Sequence, residues 1–252
     1  MMADPTKANR WKGVCAYDGT DFEGWQSQPC KNTIQDILET RLATIFKYPV
    51  KIHGSARTDS GVHARQQVFH FDADWNHPPD ALFRALLSGL PEGIQLKTLA
   101  PTKNNFHALH SAKGKRYVYF IHEGQADPFN SRYMWSIGWR TLDVEIMQDA
   151  AVHLLGTHDF TAFSATGGSP GDNPVKEIRK VEIKRTGKVI RITVEGSGFL
   201  YKMVRRITGM LYNAGLGRLS PDKVPGLIKN RKRELVIHTA PAKGLCLERV
   251  FY

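Results

Sequence analysis

Gly54-Ser55-Ala56-Arg57-Thr58-Asp59-Ser60-Gly61-Val62-His63-Ala64-Arg65-Gln66-Gln67-Val68-Phe69-His70-Phe71-Asp72 is the stretch from which the fold can be read outward. Lys51 to Gly54 reads as one strand and Gln66 to Ala73 as the next. Between them lies a short charged loop of small residues and glycine, with Arg57 two residues before Asp59. An aspartate in such a place is ordinarily a turn residue, because its carboxylate bonds nearby backbone N–H groups. The same geometry would also hold a carboxylate ready for chemistry, and a neighbouring guanidinium favours the ionised form that a nucleophile needs.

Upstream, Trp11 to Tyr17 reads as a strand and Asp18-Gly19-Thr20 as a turn. Asn32 is placed to cap a helix starting at Thr33, with Ile34, Ile37, Leu38, Leu42 and Ile45 on one face. Downstream, Pro78-Pro79-Asp80 opens a helix carrying Leu82, Leu86 and Leu90, and Ile94 to Ala100 closes the set as a strand. The order β-α-β-β-α-β is that of a ferredoxin-like unit. After a polar linker at Pro101 to Asn105 a similar order follows. Lys115 to His122 is a strand, Val144 to Leu155 a helix stopped by Gly156, and two alternating runs around Thr186-Gly187-Lys188 form a hairpin. Phe199 to Ala214 carries the clearest helical stripe, with Leu200, Met203, Val204, Ile207 and Leu211. Ser220 to Lys229 reads as a further helix and Leu245 to Phe251 as a last strand. The expected fold class is therefore α+β, in two halves: residues 1–105 with the aspartate loop, and residues 106–252 with the long helix. The segment around Gly167 to Asn173 is expected to be a mobile loop.

Composition narrows the partner. The 252 residues hold 35 Lys and Arg against 24 Asp and Glu, a net charge of +11. Such a surplus suits a polyanion, because every phosphate neutralised releases condensed counterions. At 41% hydrophobic residues the chain can build a real core. No apolar run is long enough for a membrane span and no secretory leader is visible, so a cytoplasmic protein is expected. Three widely spaced cysteines, Cys15, Cys30 and Cys246, read as reduced thiols rather than a disulfide framework or a zinc site. His53, His63, His70 and His77 fall on different elements without ligand spacing and read as surface or capping histidines, so no metal is expected.

Tyr117 and Tyr119 share one face of a strand. Core packing accounts for at least one of them, and a ring on which an RNA base stacks is the alternative for the other, with Lys113, Lys115 and Arg116 alongside. Lys202, Arg205 and Arg206 fall off the apolar stripe of the long helix, either as solvent-facing cations or as a phosphate patch. Arg231-Lys232-Arg233 is a charge run of the solvated kind.

The run Arg57-Thr58-Asp59-Ser60-Gly61-Val62-His63-Ala64 resembles the TruA family of tRNA pseudouridine synthases. Four other motifs, in order, are similar to that family's. They are Tyr17-Asp18-Gly19-Thr20-x-Phe22-x-Gly24-Trp25-Gln26; Phe106-His107-Ala108 with Ser111-Ala112 and Lys115-Arg116-Tyr117; Gly198 to Arg205; and Gly244-Leu245-x-Leu247. Ala56 and Ser60 depart from the commoner Gly and Ala, and Leu109-His110 from a frequent Arg and aromatic. The resemblance implies two α/β halves whose antiparallel sheets meet at a basic cleft. It also implies a homodimer that grips tRNA, and isomerisation of uridine to pseudouridine at anticodon stem-loop positions 38, 39 and 40. It implies no cofactor, since nothing is oxidised and nothing leaves. By the same resemblance Asp59 is the catalytic aspartate, Tyr117 the ring that stacks on the target base, and Arg205 the arginine that pairs with Asp59. Arg57 is the arginine that helps displace the nucleotide. Two other classes share parts of this pattern. A non-catalytic RNA-binding protein would not need Asp59, and a glycoside-cleaving enzyme would ordinarily carry a second, paired carboxylate.

Overall fold

A computed structural model describes residues 9–168, 172–232 and 234–252, which pack as two compact units. Unit 1 holds residues 9–113 together with 247–252, and unit 2 holds residues 114–246. Each unit combines helices with a sheet.

In unit 1 the order is β1 (Asn9–Tyr17), α1 (Ile34–Phe46), β2 (His53–Gly54), β3 (His63–Ala73), α2 (Pro79–Leu87) and β4 (Ile94–Pro101). β1 pairs antiparallel with both β3 and β4, and β2 with β3. The chain's last strand, β10 (Leu245–Phe251), lies on the other side of β3. Its residues from Leu247 onward belong to this unit. Strand alternation puts Trp11, Gly13 and Cys15 on one face of β1, opposite Phe71, Phe69 and Gln67 of β3. Leu38 and Leu42 of α1 and Leu82 and Leu86 of α2 are fully buried with Phe69 and Phe71. Truncating any one of these leucines to alanine would cost about 2–5 kcal/mol, through lost transfer energy and the cavity left behind.

Local chemistry sets the ends of α1. Thr33, not Asn32, is its N-cap: the Thr33 side chain accepts from the Asp36 N–H, and its hydroxyl donates to Asp36 Oδ2 at 2.6 Å. The Asn32 amide instead donates to the carbonyl of Asp21. Sequence pattern had put the start of the helix one residue early because both residues are good caps. The strand expected from Lys51 shortens to His53–Gly54, and the strand expected from Gln66 begins at His63.

In unit 2 the order begins with β5 (Gly114–His122), β6 (Trp135–Ser136), α3 (Val144–Val152) and β7 (Gly156–Asp159). A 3-10 turn at Thr161–Phe163 follows, then β8 (Val175–Thr186), β9 (Val189–Gly196) and α4 (Met203–Gly215). A second 3-10 turn, Pro221–Lys223, leads into α5 (Val224–Asn230). β5, β9, β8 and β7 are neighbours in that order, all antiparallel, while the short β6 runs parallel to the end of β5. The β8–β9 hairpin turns at Gly187-Lys188, with Thr186 opposite Val189, as the alternating pattern predicts. α3 ends at Val152 rather than Leu155. Its N-cap, Asp143, accepts from the N–H groups of Glu145 and Ile146.

α4 is the largest departure from pattern. Its first turn was expected at Phe199, but Lys202 adopts a left-handed conformation (φ 58°) and the helix starts only at Met203. From Ile207 to Gly215 every residue is buried, so the apolar stripe widens into a helix covered on all sides. The mobile loop expected at Gly167 to Asn173 falls partly on residues 169–171, which lie outside the described residues. Among the described residues no disulfide is formed by Cys15, Cys30 or Cys246.

Candidate active site

The Asp59 loop leaves β2 and re-enters the sheet at β3, and it is held in place by groups that arrive from several positions in the chain. At its entry, Ser55 donates its N–H to Val68 O (2.8 Å) and its hydroxyl to Gln67 Oε1 (2.7 Å). The buried Gln67 amide then closes on the next peptide: Ala56 N–H reaches Oε1 at 3.2 Å and Nε2 reaches Ala56 O at 2.7 Å. Gln67 Nε2 also donates to the Tyr17 hydroxyl (3.4 Å), and that hydroxyl is hydrogen-bonded to Thr58 Oγ1 at 2.8 Å. A buried, fully bonded network of this kind fixes one geometry, because any member left unpaired would cost about 1–3 kcal/mol.

At its tip the loop turns between Asp59 and Val62, with Val62 N–H bonded to Asp59 O at 3.1 Å. Gly61, with φ 75°, occupies the third position, where a type II turn demands a left-handed residue. The loop's outer side is covered by the segment after β1. Trp25 donates its N–H to Thr58 O (3.1 Å), Gly61 N–H and the Ser60 hydroxyl both reach Phe22 O, and Gly19 N–H donates to Nδ1 of the buried His63 (3.0 Å). Gly24 (φ 85°) packs against the loop backbone so closely that a Cβ there would lie 2.5 Å from Thr58 O and 2.9 Å from the Asp59 carbonyl carbon. Asp59 is partly exposed and Arg57 exposed, while Ala56, Thr58 and Val62 around them are buried. The two functional candidates thus project from a backbone whose small and apolar residues anchor it.

Tyr117 and Arg205 belong to unit 2. Tyr117 lies on β5 opposite Val194 of β9, largely buried, its ring perpendicular to that of Phe199 at 5.3 Å between centroids. The two tyrosines of this strand face divide as the pattern allows. Tyr119 is fully buried, donates its hydroxyl to Pro241 O at 2.8 Å, and meets Trp135 edge-on. Burial pushes the Tyr119 hydroxyl's pKa well above the usual tyrosine range, so it is a neutral core donor. Arg205 sits in the first turn of α4. Its Nε donates to Ala240 O at 2.7 Å, and its carbonyl accepts from Ala240 N–H at 3.1 Å. Arg206 reaches Ala162 O at 3.2 Å. Neither arginine is the solvent-facing cation that periodicity suggests, since both side chains tie α4 to neighbouring segments. Lys202 places its ammonium 4.8 Å over the Tyr201 ring.

His53 and His77 are exposed, as expected of surface histidines, whereas His63 and His70 are buried. His53, His70 and His107 form one cluster, with centroids 5.0 Å (His53–His70), 5.8 Å (His53–His107) and 4.6 Å (His70–His107) apart. His110 extends it at 4.2 Å from His107. Nδ1 of His70 and of His107 each already accept backbone N–H groups. Among the described residues no group of His, Cys, Asp and Glu is arranged to hold a metal ion. Nor is any helix long and apolar enough to cross a membrane.

Tyr17, Gln67 and Phe199 were not read as parts of a site. Tyr17 and Gln67 are 50 positions apart, and only the β1–β3 register reveals their partnership.

Unit 1 thus carries a carboxylate loop locked by buried hydrogen bonds, and unit 2 a largely buried strand tyrosine and a helix with two arginines in its first turn. The family described as tRNA pseudouridine synthase matches residues 14–110 and 150–252. Similar curated proteins include tRNA pseudouridine synthase A of Bacillus subtilis, 42% identical over 246 residues, covering 96% of this chain and 99% of that one. The protein of the same name from Acetivibrio thermocellus is 40% identical over 241 residues, covering 96% and 98%. That from Halalkalibacterium halodurans is 44% identical over 232 residues, covering 91% and 88%. The chain therefore belongs to the tRNA pseudouridine synthase family, and it is an enzyme of that kind. Among solved structures, a chain of a Cbf5–Nop10–Gar1 complex aligns with a TM-score of 0.37 and 12% identity, covering 94% of this chain and 48% of that one, a likeness too weak to carry an argument.

Proposed function

We propose that Asp59 is the carboxylate that acts at C1′ of the target uridine, and that Tyr117 receives the extruded base. Arg205 steadies the aspartate, and Arg57 helps displace the nucleotide. The substrate is the tRNA anticodon stem-loop, at positions 38, 39 and 40, bound by a homodimer of subunits built from two ferredoxin-like halves. The observation that carries this reading is the rigid cradle of the Asp59 loop. Gly24 packs on its backbone, and the Gln67, Tyr17 and Thr58 side chains fix its entry. A turn that served only to join two strands would not need a buried network to set its shape.

The chemistry is an isomerisation. The N1–C1′ bond breaks, the base turns, C5 bonds to C1′, and the C5 proton is lost while N1 gains one. Asp59 acts either as nucleophile at C1′ or by assisting elimination to a glycal. The base must leave the stem for its glycosidic bond to be reached, which costs unstacking energy that an aromatic receiver repays in part. Asp59→Asn is expected to abolish pseudouridine formation on unmodified tRNA while tRNA affinity stays within about threefold, since a neutral isostere leaves phosphate contacts in place. Single-turnover assay of the purified variant measures the first and filter binding the second. Retained turnover would remove Asp59 from the chemistry.

A further inference from the structure

Lys115 precedes Tyr117 by two residues on β5, so the pleat sets both side chains on the same face, with Cα atoms roughly 7 Å apart. Directly across the ladder from Lys115 is Gly196, which contributes no side chain, and beyond it in register is Ile178 of β8. Lys176 lies two residues before Ile178 on that same face. The Lys115 ammonium is deeply set and makes no hydrogen bond or ion pair among the described residues. Its surroundings make that unusual. The next residue, Arg116, points to the opposite face and is paired with Glu195 through two bonds of 2.9 and 2.8 Å. Lys180 and Lys184, further along β8, share Glu182. Burial first and the charge of Lys176 second hold the Lys115 ammonium down at about 8, with Asp172 opposing them. A desolvated cation facing a second cation is a costly arrangement that an incoming anion relieves.

We propose that Lys115, with Lys176 nearby, binds a backbone phosphate of the RNA next to the target nucleotide. The proposal rests on the reading of Tyr117 as the ring that receives the base. The phosphate of an extruded nucleotide follows its sugar, so a cation one pleat repeat from the stacking ring is placed to hold it. Lys115 is thereby a binding residue for the known reaction and not part of the bond-making machinery.

The test uses the full chain carrying Asp59→Asn, which binds without turnover, and synthetic anticodon stem-loops with one neutral methylphosphonate at a time on each side of the target uridine. Lys115→Met is expected to weaken binding of the unmodified loop about tenfold, the size of one charge-assisted contact. The plot of log affinity against log salt should become shallower by about one. One methylphosphonate should cost Lys115 protein about tenfold and Lys115→Met protein almost nothing further, with Lys115→Arg restoring the coupling. Lys115→Gln, which keeps a polar end, serves if the methionine variant is unfolded by circular dichroism. Penalties that simply add at every phosphate, or a Lys115 variant with unchanged affinity and salt slope, would overturn the proposal. Because these arms read binding alone, retained turnover in Asp59→Asn would sink the catalytic reading separately, whatever the phosphate coupling shows.

Discussion

His70 shows how one residue's surroundings become a property of the protein. It lies on β3 opposite Lys12 and His53, buried, with its Nδ1 accepting the Ala108 N–H at 3.1 Å. Protonation would strand that N–H and place a charge among His107, Arg10 and His53, with Asp72 alone in its favour. Burial first, and the neighbouring His107, Arg10 and His53 second, push the His70 pKa down to about 4. A base whose folded pKa is depressed stabilises the fold fully above its unfolded value near 6.5 and loses that contribution as pH falls through about 4. The loss is roughly 3 kcal/mol at most. His70→Asn supplies a carbonyl for the Ala108 N–H without titrating. Urea unfolding between pH 7 and 4 should show wild-type stability falling more steeply than the variant's, and parallel slopes would refute the assignment. None of this was legible from the sequence, where the histidines lie on separate elements. The β2–β3 register and the chain after β4 gather them.

The element that matters most for function is a pair of loops, the segment after β1 and the Asp59 loop, which behave as one piece. Gly24→Ala tests this coupling. An alanine Cβ would press on Thr58 O, the Asp59 carbonyl carbon and the Ser60 N–H from a backbone held at φ 85°. Strain and overpacking together should cost about 1–3 kcal/mol of stability. Turnover should fall by about tenfold or more, because displacing the loop by less than an ångström misplaces its carboxylate. Gly226→Ala is the control: a Cβ there meets nothing within 4 Å, and the position lies inside α5. That change should leave turnover intact and be neutral or stabilising by up to about 1 kcal/mol. Melting temperatures and steady-state rates on both variants would decide. If Gly24→Ala kept full activity, the two loops would not be mechanically joined. At this scale the sequence was largely readable. Periodicity located α1, α2, α3, β8, β9 and β10, and the motif located the loop. It misplaced the start of α4, because Leu200 continues the apolar stripe through a left-handed Lys202 that no hydrophobic pattern can register.

Across the whole chain, the last strand illustrates what periodicity does not encode. Leu245 to Phe251 reads correctly as a strand, yet nothing local tells that Leu247 to Tyr252 rejoin the unit that began the chain. Net charge, by contrast, is legible without any structure, and it makes a quantitative demand. With 35 basic residues against 24 acidic ones, most of the affinity for tRNA should come from counterion release. If about six to ten phosphates are neutralised, affinity should fall by about 10³ to 10⁵ between 50 and 200 mM salt. Salt should act on the Michaelis constant and spare the rate at saturating tRNA, because phosphate contacts made before and during the reaction stabilise substrate and transition state alike. Multiple-turnover kinetics over a monovalent salt series would show KM rising steeply while kcat holds. A KM indifferent to salt would mean that the basic surplus serves solubility, and that recognition rests on base and shape contacts alone. A kcat that fell in step with affinity would place some of those cations in the transition state.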